Sequence, residues 1–172
     1  RAVAPDDVAR LAGLRPGTPV HIHAAEQEKE VADCLAWSGK RPIRWLLDHA
    51  GLGPDWCVIH ATHLDATEVD GLARSGAVAG LCPVTESNLG DGIFPGTDFR
   101  QSGGRYGVGT DSNVLISAGE ELRVLEYSQR LRDRQRVRLA DAGQSVGTSI
   151  LTAALAGGAQ ASSCFIHSPC KL

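Results

Sequence analysis

The stretch TPVHIHAAE, residues 18–26, decides how the rest of the chain is read. Thr18 to His23 forms a β-type run in which Val20 and Ile22 alternate with His21 and His23. In a strand the two histidines therefore point to the same side. Glu26 follows three residues past His23, on the turn that leaves the strand. A short helix is expected before this run, around Pro5 to Leu14, and two more after it, from about Glu28 to Trp37 and from Pro42 to Ala50. Pro42 suits a first helical turn, where its missing N–H has no intrahelical partner to lose. The pattern then repeats along the chain. A second β run covers Trp56 to Ala61 (WCVIHA), followed by Asp65 as an N-cap with Glu68 completing a capping box, and a helix ending near Gly76. The third run is Ala77 to Cys82 and the fourth Arg105 to Gly109; a long amphipathic helix over Ala118 to Leu139 and a last one over Val146 to Ala156 follow. Short strands alternating with helices are the signature of a parallel α/β fold, and four such units fit a barrel or a doubly wound sheet.

Composition narrows the function classes. The 42% of hydrophobic residues is enough for a sizeable core in 172 residues, and the net charge of −3 argues against nucleic acid or an anionic membrane as the main partner. No apolar run approaches the length of a membrane span and no secretory leader is visible, so the cytoplasm is the expected compartment. Cys34, Cys57 and Cys82 fall in helix or strand patterns and read as reduced, buried small hydrophobes rather than a disulfide framework. The Arg-rich stretch from Arg130 to Arg138 fits a solvated amphipathic face better than an anion-binding patch, because Leu131, Asp133 and Val137 interrupt it. With no methionine anywhere and Arg1 at its start, the sequence is expected to be processed or a fragment. Residues 161–172 hold two cysteines and a proline with no helical or strand period, so they read as an aberrant or truncated tail after a domain over residues 1–160.

The informative observation is where the ionisable residues fall. His23 and Glu26 follow the first β run, His60 ends the second, and Asp111 follows the fourth. Each lies just past the C-terminal end of an expected parallel strand, the edge on which barrels and open α/β sheets assemble their sites. Singly, each has a plain structural reading. His21-Ile22-His23 is a metal pair, a structural pair or an accident; a histidine ending a buried strand is often a hydrogen-bonded core residue; and Thr110-Asp111-Ser112-Asn113 is good turn chemistry. Converging on one edge, they have the composition of a hydrolytic metal site with a carboxylate, Glu26, beside it as general acid/base. His63 and His49 are expected to be structural, and His167 with Cys164 and Cys170 lies in the aberrant tail.

Together these residues resemble the amidohydrolase superfamily, within it the deaminases that use one metal, with H-x-x-E after strand five, His after strand six and Asp after strand eight. Here these are His23 to Glu26, His60 and Asp111. Finer resemblance to the formimidoylglutamate deiminase family lies in HIHAAEQEKEVADCLAWSGKRP, WCVIHATHLD, SGAVAGLCPVTESNLGDGIFPGTDF and EELRVLEYSQRLRDRQR. Related guanine and adenosine-type deaminases share the His/Glu/His/Asp skeleton but generally lack AWSGKRP and NLGDGIFP. The resemblance implies the C-terminal half, strands five to eight, of a metal-dependent hydrolase (β/α)8 TIM barrel. It implies hydrolysis of N-formimino-L-glutamate to N-formyl-L-glutamate and ammonia, in histidine degradation, by a protein that is a homodimer when complete. His23 and Asp111 would be metal ligands, with Asp111 also drawing a proton from water on the metal. Glu26 would shuttle protons to the imine nitrogen and the departing ammonia, and His60 would hydrogen-bond the attacking oxygen. Arg1 matches a family arginine just after strand four that binds a substrate carboxylate, a task its paired N–H donors suit. One divalent metal, zinc, is implied, since His/His/His/Asp ligation favours it.

One part of the family pattern is missing. The family takes two further ligands from an H-x-H motif at the end of strand one, and His21-Ile22-His23 is not that motif, because Glu26 marks it as the strand-five one. The chain is therefore expected to hold two of four protein ligands and a sheet with two unpaired edges. Two other readings remain: a related single-metal deaminase acting on a purine or another amidine, and a non-catalytic half-barrel that needs a partner chain.

Overall fold

The computed structural model describes residues 3–14 and 17–163. Its centre is a sheet of four parallel strands in sequence order, β1 (Val20–Ala24), β2 (Trp56–His60), β3 (Val78–Leu81) and β4 (Arg105–Val108). The register pairs Ala24 with His60, Ile59 with Gly80 and Leu81 with Val108, so the strands end nearly level. The expected strands are all present, one or two residues shorter than read from the sequence. Among the described residues no further strand pairs with the outer edge of β1 or β4, as expected for part of a barrel.

Helices make every crossover. Helix α1 (Pro5–Leu14) precedes the sheet; α2 (Glu28–Ser38) and α3 (Pro42–His49) link β1 to β2, and α4 (Ala66–Ser75) links β2 to β3. Asp65 caps α4 with the full capping box: its carboxylate accepts the Thr67 and Glu68 N–H groups, and Glu68 accepts the Asp65 N–H. One buried cluster joins sheet residues Val58, Ala79, Leu81 and Tyr106 to Ile43, Leu72, Phe99 and Leu125 on the helices. No helix among the described residues is long and apolar enough to cross a membrane.

Carboxylates distant in sequence account for two departures from the sequence reading. Helices α5 (Pro83–Leu89) and α6 (Gly96–Gln101) lie within the Gly- and Pro-rich run between β3 and β4, where the sequence reading assigns no element. The start of α5 is held by carboxylates: the Cys82 N–H donates to Glu86 Oε1 at 2.9 Å and the Val84 N–H to Glu121 Oε2 at 2.9 Å. Helix α7 (Ala118–Asp133) stops well short of Leu139. Arg134 turns into the left-handed region at φ 54°, and the buried Glu126 carboxylate accepts the N–H groups of Arg138 and Leu139, drawing the chain back so that Leu139 is buried. Asp133 takes the Arg132 and Arg138 guanidinium groups at 2.7 Å each, and they hold its carboxyl down at about 2, so this arginine run is knitted to the fold's own acids.

Helix α8 (Val146–Ala161) runs five residues past the expected end at Ala156. It closes the N-terminal end of the sheet: Gln160 Nε2 donates to the carbonyls of Pro54 and Gly76, in the turns before β2 and β3, and Arg105 donates to Gln160 Oε1. Gly157 presses against β4 so closely that a Cβ there would lie 2.0 Å from the Tyr106 carbonyl oxygen, whereas a Cβ on Gly158 would meet nothing within 4 Å. Helix α8 ends at Ala161, one residue past the boundary expected at residue 160, and the tail from residue 164 on, with Cys164, His167 and Cys170, lies beyond the described residues. Substituting Gly157→Ala should destabilise the chain by about 1–3 kcal/mol, because strand backbone cannot yield. Gly158→Ala should be neutral or up to about 1 kcal/mol stabilising through helix propensity. Denaturant midpoints of the two variants check this; equal effects would refute the close-packing account.

Candidate active site

The strand ends are bent into backbone conformations that side-chain-bearing residues seldom take. Ala25, His60, Ala61 and Asp111 all have positive φ, at 55°, 68°, 51° and 48°. Such strain persists only where surroundings over-determine it, and it clusters at functional sites. Here the surroundings are visible. The Glu30 carboxylate accepts the N–H groups of Ala25 and Glu26 at 2.8 and 3.1 Å, holding the turn between His23 and Glu26. The Ala61 N–H donates to the Ala24 carbonyl and the His63 N–H to the Ala25 carbonyl, which locks the turn after β2 onto the turn after β1. Asn113 donates to the buried Thr85 hydroxyl at 2.7 Å, tying the Asp111 turn to α5.

The result is a cleft of about 310 Å³ lined by His23, Glu26, His60 and Asp111, the four residues singled out in the sequence. Glu26 and His60 form its floor, 5% and 1% exposed, while His23 and Asp111 are exposed. The His23 and His60 rings lie 5.4 Å apart, and His60 Nε2 is 3.7 Å from Glu26 Oε2. The two histidines of β1 divide their work. His21 Nε2 donates to the Ala161 carbonyl at 2.8 Å, an anchor for α8, and His23 is left at the cleft.

Two further acids were not legible as site residues. Glu86 places Oε1 3.3 Å from His60 Nδ1, behind the ring. Glu121, fully buried on α7, has its carboxyl raised by burial, against the Val84 N–H, with Glu86 and Asp111 adding to the rise. Glu121 sits in a helical pattern and Glu86 in a Gly- and Pro-rich run, both settings where a glutamate ordinarily faces solvent. Burial pushes the thiols of Cys57 and Cys82 up to about 11 and about 12, so they are protonated small hydrophobes as expected, although Cys82 precedes α5 instead of lying in β3. His63 is structural: its Nε2 donates to the Asp91 carbonyl and its own carbonyl accepts from Arg41, which also pairs with the buried Glu68. The runs AWSGKRP and NLGDGIFP thus meet at His63. His49 ends α3 with its ring edge-on to Trp45. Arg1 lies outside the described residues.

His23 and Asp111 stand on the exposed side of the cleft, with Glu26 on its floor and Glu86 and Glu121 behind it. Among the described residues no group of three or more His, Cys, Asp or Glu side chains is arranged to hold a metal ion. Protein zinc sites use three or four such ligands, more than this cleft brings together among the described residues.

The amidohydrolase family model matches residues 6–157, and the chain belongs to that family. Over 163 residues it is 59% identical to a formimidoylglutamate deiminase of Pseudomonas aeruginosa, covering 94% of this chain and 36% of that protein. A 5-methylthioadenosine/S-adenosylhomocysteine deaminase of Natronomonas pharaonis is 30% identical over 144 residues, 84% of this chain and 33% of that protein. Among solved structures, an amidohydrolase from Brucella melitensis superposes with a TM-score of 0.91 at 56% identity, covering 94% of this chain and 36% of that one. An adenosine deaminase from Xanthomonas campestris with bound zinc gives 0.83 at 26% identity, covering 94% and 37%. The chain therefore spans roughly a third of the length of these relatives.

After equilibration with excess zinc and removal of free ion, the 172-residue chain should retain well under one zinc per chain, because two protein ligands leave the coordination shell open. Metal analysis checks this; stoichiometric retention would contradict the two-ligand assignment.

Proposed function

We propose that the chain is the segment of a formimidoylglutamate deiminase that carries the proton-transfer residues and half of the metal ligands. The observation that carries this reading is the cleft shared by His23, Glu26, His60 and Asp111, in a chain 59% identical to a deiminase of that name. The meeting of AWSGKRP and NLGDGIFP at His63 supports it over the purine deaminase alternative, since those runs are the ones that resemble the deiminases.

The reaction adds water across the C=N bond of N-formimino-L-glutamate and then breaks a C–N bond to release ammonia, leaving N-formyl-L-glutamate. His23 and Asp111 would hold one divalent ion, zinc by likeness to the neighbour that binds it. Bound there, the ion would supply the nucleophile at neutral pH by lowering the pKa of water. Asp111 accepts the proton that the water gives up. Glu26, on the floor of the cleft and shielded from bulk water, relays that proton to the imino nitrogen, and then relays to the leaving amine the proton that the adduct's hydroxyl releases as the carbonyl forms. An acid on the nitrogen side is what makes the adduct lose ammonia rather than water. His60 Nε2, facing Glu26, hydrogen-bonds the attacking oxygen and stabilises its developing charge. Arg1 binds a substrate carboxylate by two parallel hydrogen bonds. The complete enzyme would be a cytoplasmic homodimer acting on this small molecule, by resemblance to its family.

In the full-length polypeptide, Glu26→Gln should lower kcat for ammonia release about 10²- to 10⁴-fold while zinc content stays unchanged. A variant with undiminished turnover would remove Glu26 from the mechanism and this reading with it.

A further inference from the structure

We propose that Glu86 is the positioning residue of His60: its carboxylate holds the ring as the Nδ1–H tautomer and so sets what Nε2 presents to the cleft. The kinetic consequence of this rests on the function proposed above; the tautomer does not.

Glu86 is 5% exposed on α5, against the side of His60 that faces away from Glu26. Its Oε1 already accepts the Cys82 N–H at 2.9 Å, which fixes that oxygen as an acceptor. The same atom lies 3.3 Å from His60 Nδ1, so in this contact the ring nitrogen is the donor. A neutral imidazole carries one N–H, and with it committed to Glu86 the lone pair at Nε2 is turned toward the cleft, 3.7 Å from Glu26 Oε2. In the neutral ring Nε2 is therefore a proton acceptor. Protonated through Glu26, the group facing it, Nε2 becomes a donor to the attacking oxygen, and the carboxylate behind the ring stabilises the charge gained. The opposite tautomer would set a bare Nδ1 against a carboxylate oxygen and lose this sequence of roles.

The backbone agrees with a ring held from behind. His60 ends β2 at φ 68° and Ala61 follows at φ 51°, so local geometry alone does not favour this position. The Cys82 N–H to Glu86 bond joins the end of β3 to α5, and Glu86 carries that rigidity across to the end of β2.

The test uses the full-length polypeptide with ¹⁵N-histidine labels, read at a pH where imidazole is neutral and assigned by His60→Asn. The His60 signals should show Nδ1 protonated and Nε2 unprotonated. Glu86→Gln, which keeps an acceptor oxygen, should retain that tautomer; Glu86→Leu, which removes it, should give the Nε2–H form. Kinetically, Glu86→Gln should lower kcat about 10- to 100-fold with KM within about twofold. A residue that merely filled space would change thermal stability and leave tautomer and kcat alone. A wild-type His60 protonated at Nε2 overturns the proposal, even if the leucine variant does not fold, and so does a folded Glu86→Leu that keeps the Nδ1–H tautomer. A polypeptide that shows the Nδ1–H tautomer yet releases no ammonia from N-formimino-L-glutamate would uphold the positioning and sink the deiminase reading instead.

Discussion

The end of β1 and the end of β2 are tied to each other before either can hold a functional group in place. Ala24 pairs with His60, the Ala61 N–H donates to the Ala24 carbonyl, and the His63 N–H donates to the Ala25 carbonyl. Those bonds hold Ala25, His60 and Ala61 in the left-handed region, a conformation that side-chain-bearing residues avoid by roughly 1–2 kcal/mol each. The same bends carry His23, Glu26 and His60 onto one cleft. A regular parallel sheet would end with these side chains alternating between its faces. The strain at the strand ends is what gathers them.

Charge organises the second layer. Four acids, Glu26, Glu86, Asp111 and Glu121, lie in or behind a cleft whose basic groups are two imidazoles. Three of the four are buried, and a buried carboxylate is unfavourable unless it is hydrogen-bonded or meets a cation. Backbone N–H groups of Cys82 and Val84 answer part of it through Glu86 and Glu121. A divalent ion held by His23 and Asp111, as proposed above, would add positive charge on the exposed side of the cleft. The chain's length, roughly a third of that of its relatives, agrees with a shell of ligands only partly supplied here.

Much of this was legible in the sequence, for identifiable reasons. Strands of β-branched and small residues and helices with Asp65, Pro42 and glycine signals obey local rules, so element order and the strand-end positions of His23, His60 and Asp111 could be read directly. What escaped the reading depends on carboxylates that leave the local frame. Glu126 shortens α7 by taking the N–H groups of Arg138 and Leu139, Glu121 and Glu86 start α5, and Glu86 reaches His60 across 26 residues. A glutamate in a helical pattern carries no mark of burial. The only hint lay in their number: Glu68, Glu86, Glu121 and Glu126 are all buried, each taking backbone N–H groups at an element end or turn. His21 and His23, equivalent by period, were separable only once α8 was seen to claim His21 through Ala161.

The proposal that matters most is that the complete protein acts on a linear amidine bearing a carboxylate rather than on a purine. Supplying N-formimino-L-glutamate and S-adenosylhomocysteine separately to the full-length polypeptide, and measuring ammonia released from each, tests it most directly. The account predicts ammonia from the first and none above background from the second. Turnover of the purine substrate with none of the formimino compound would contradict it.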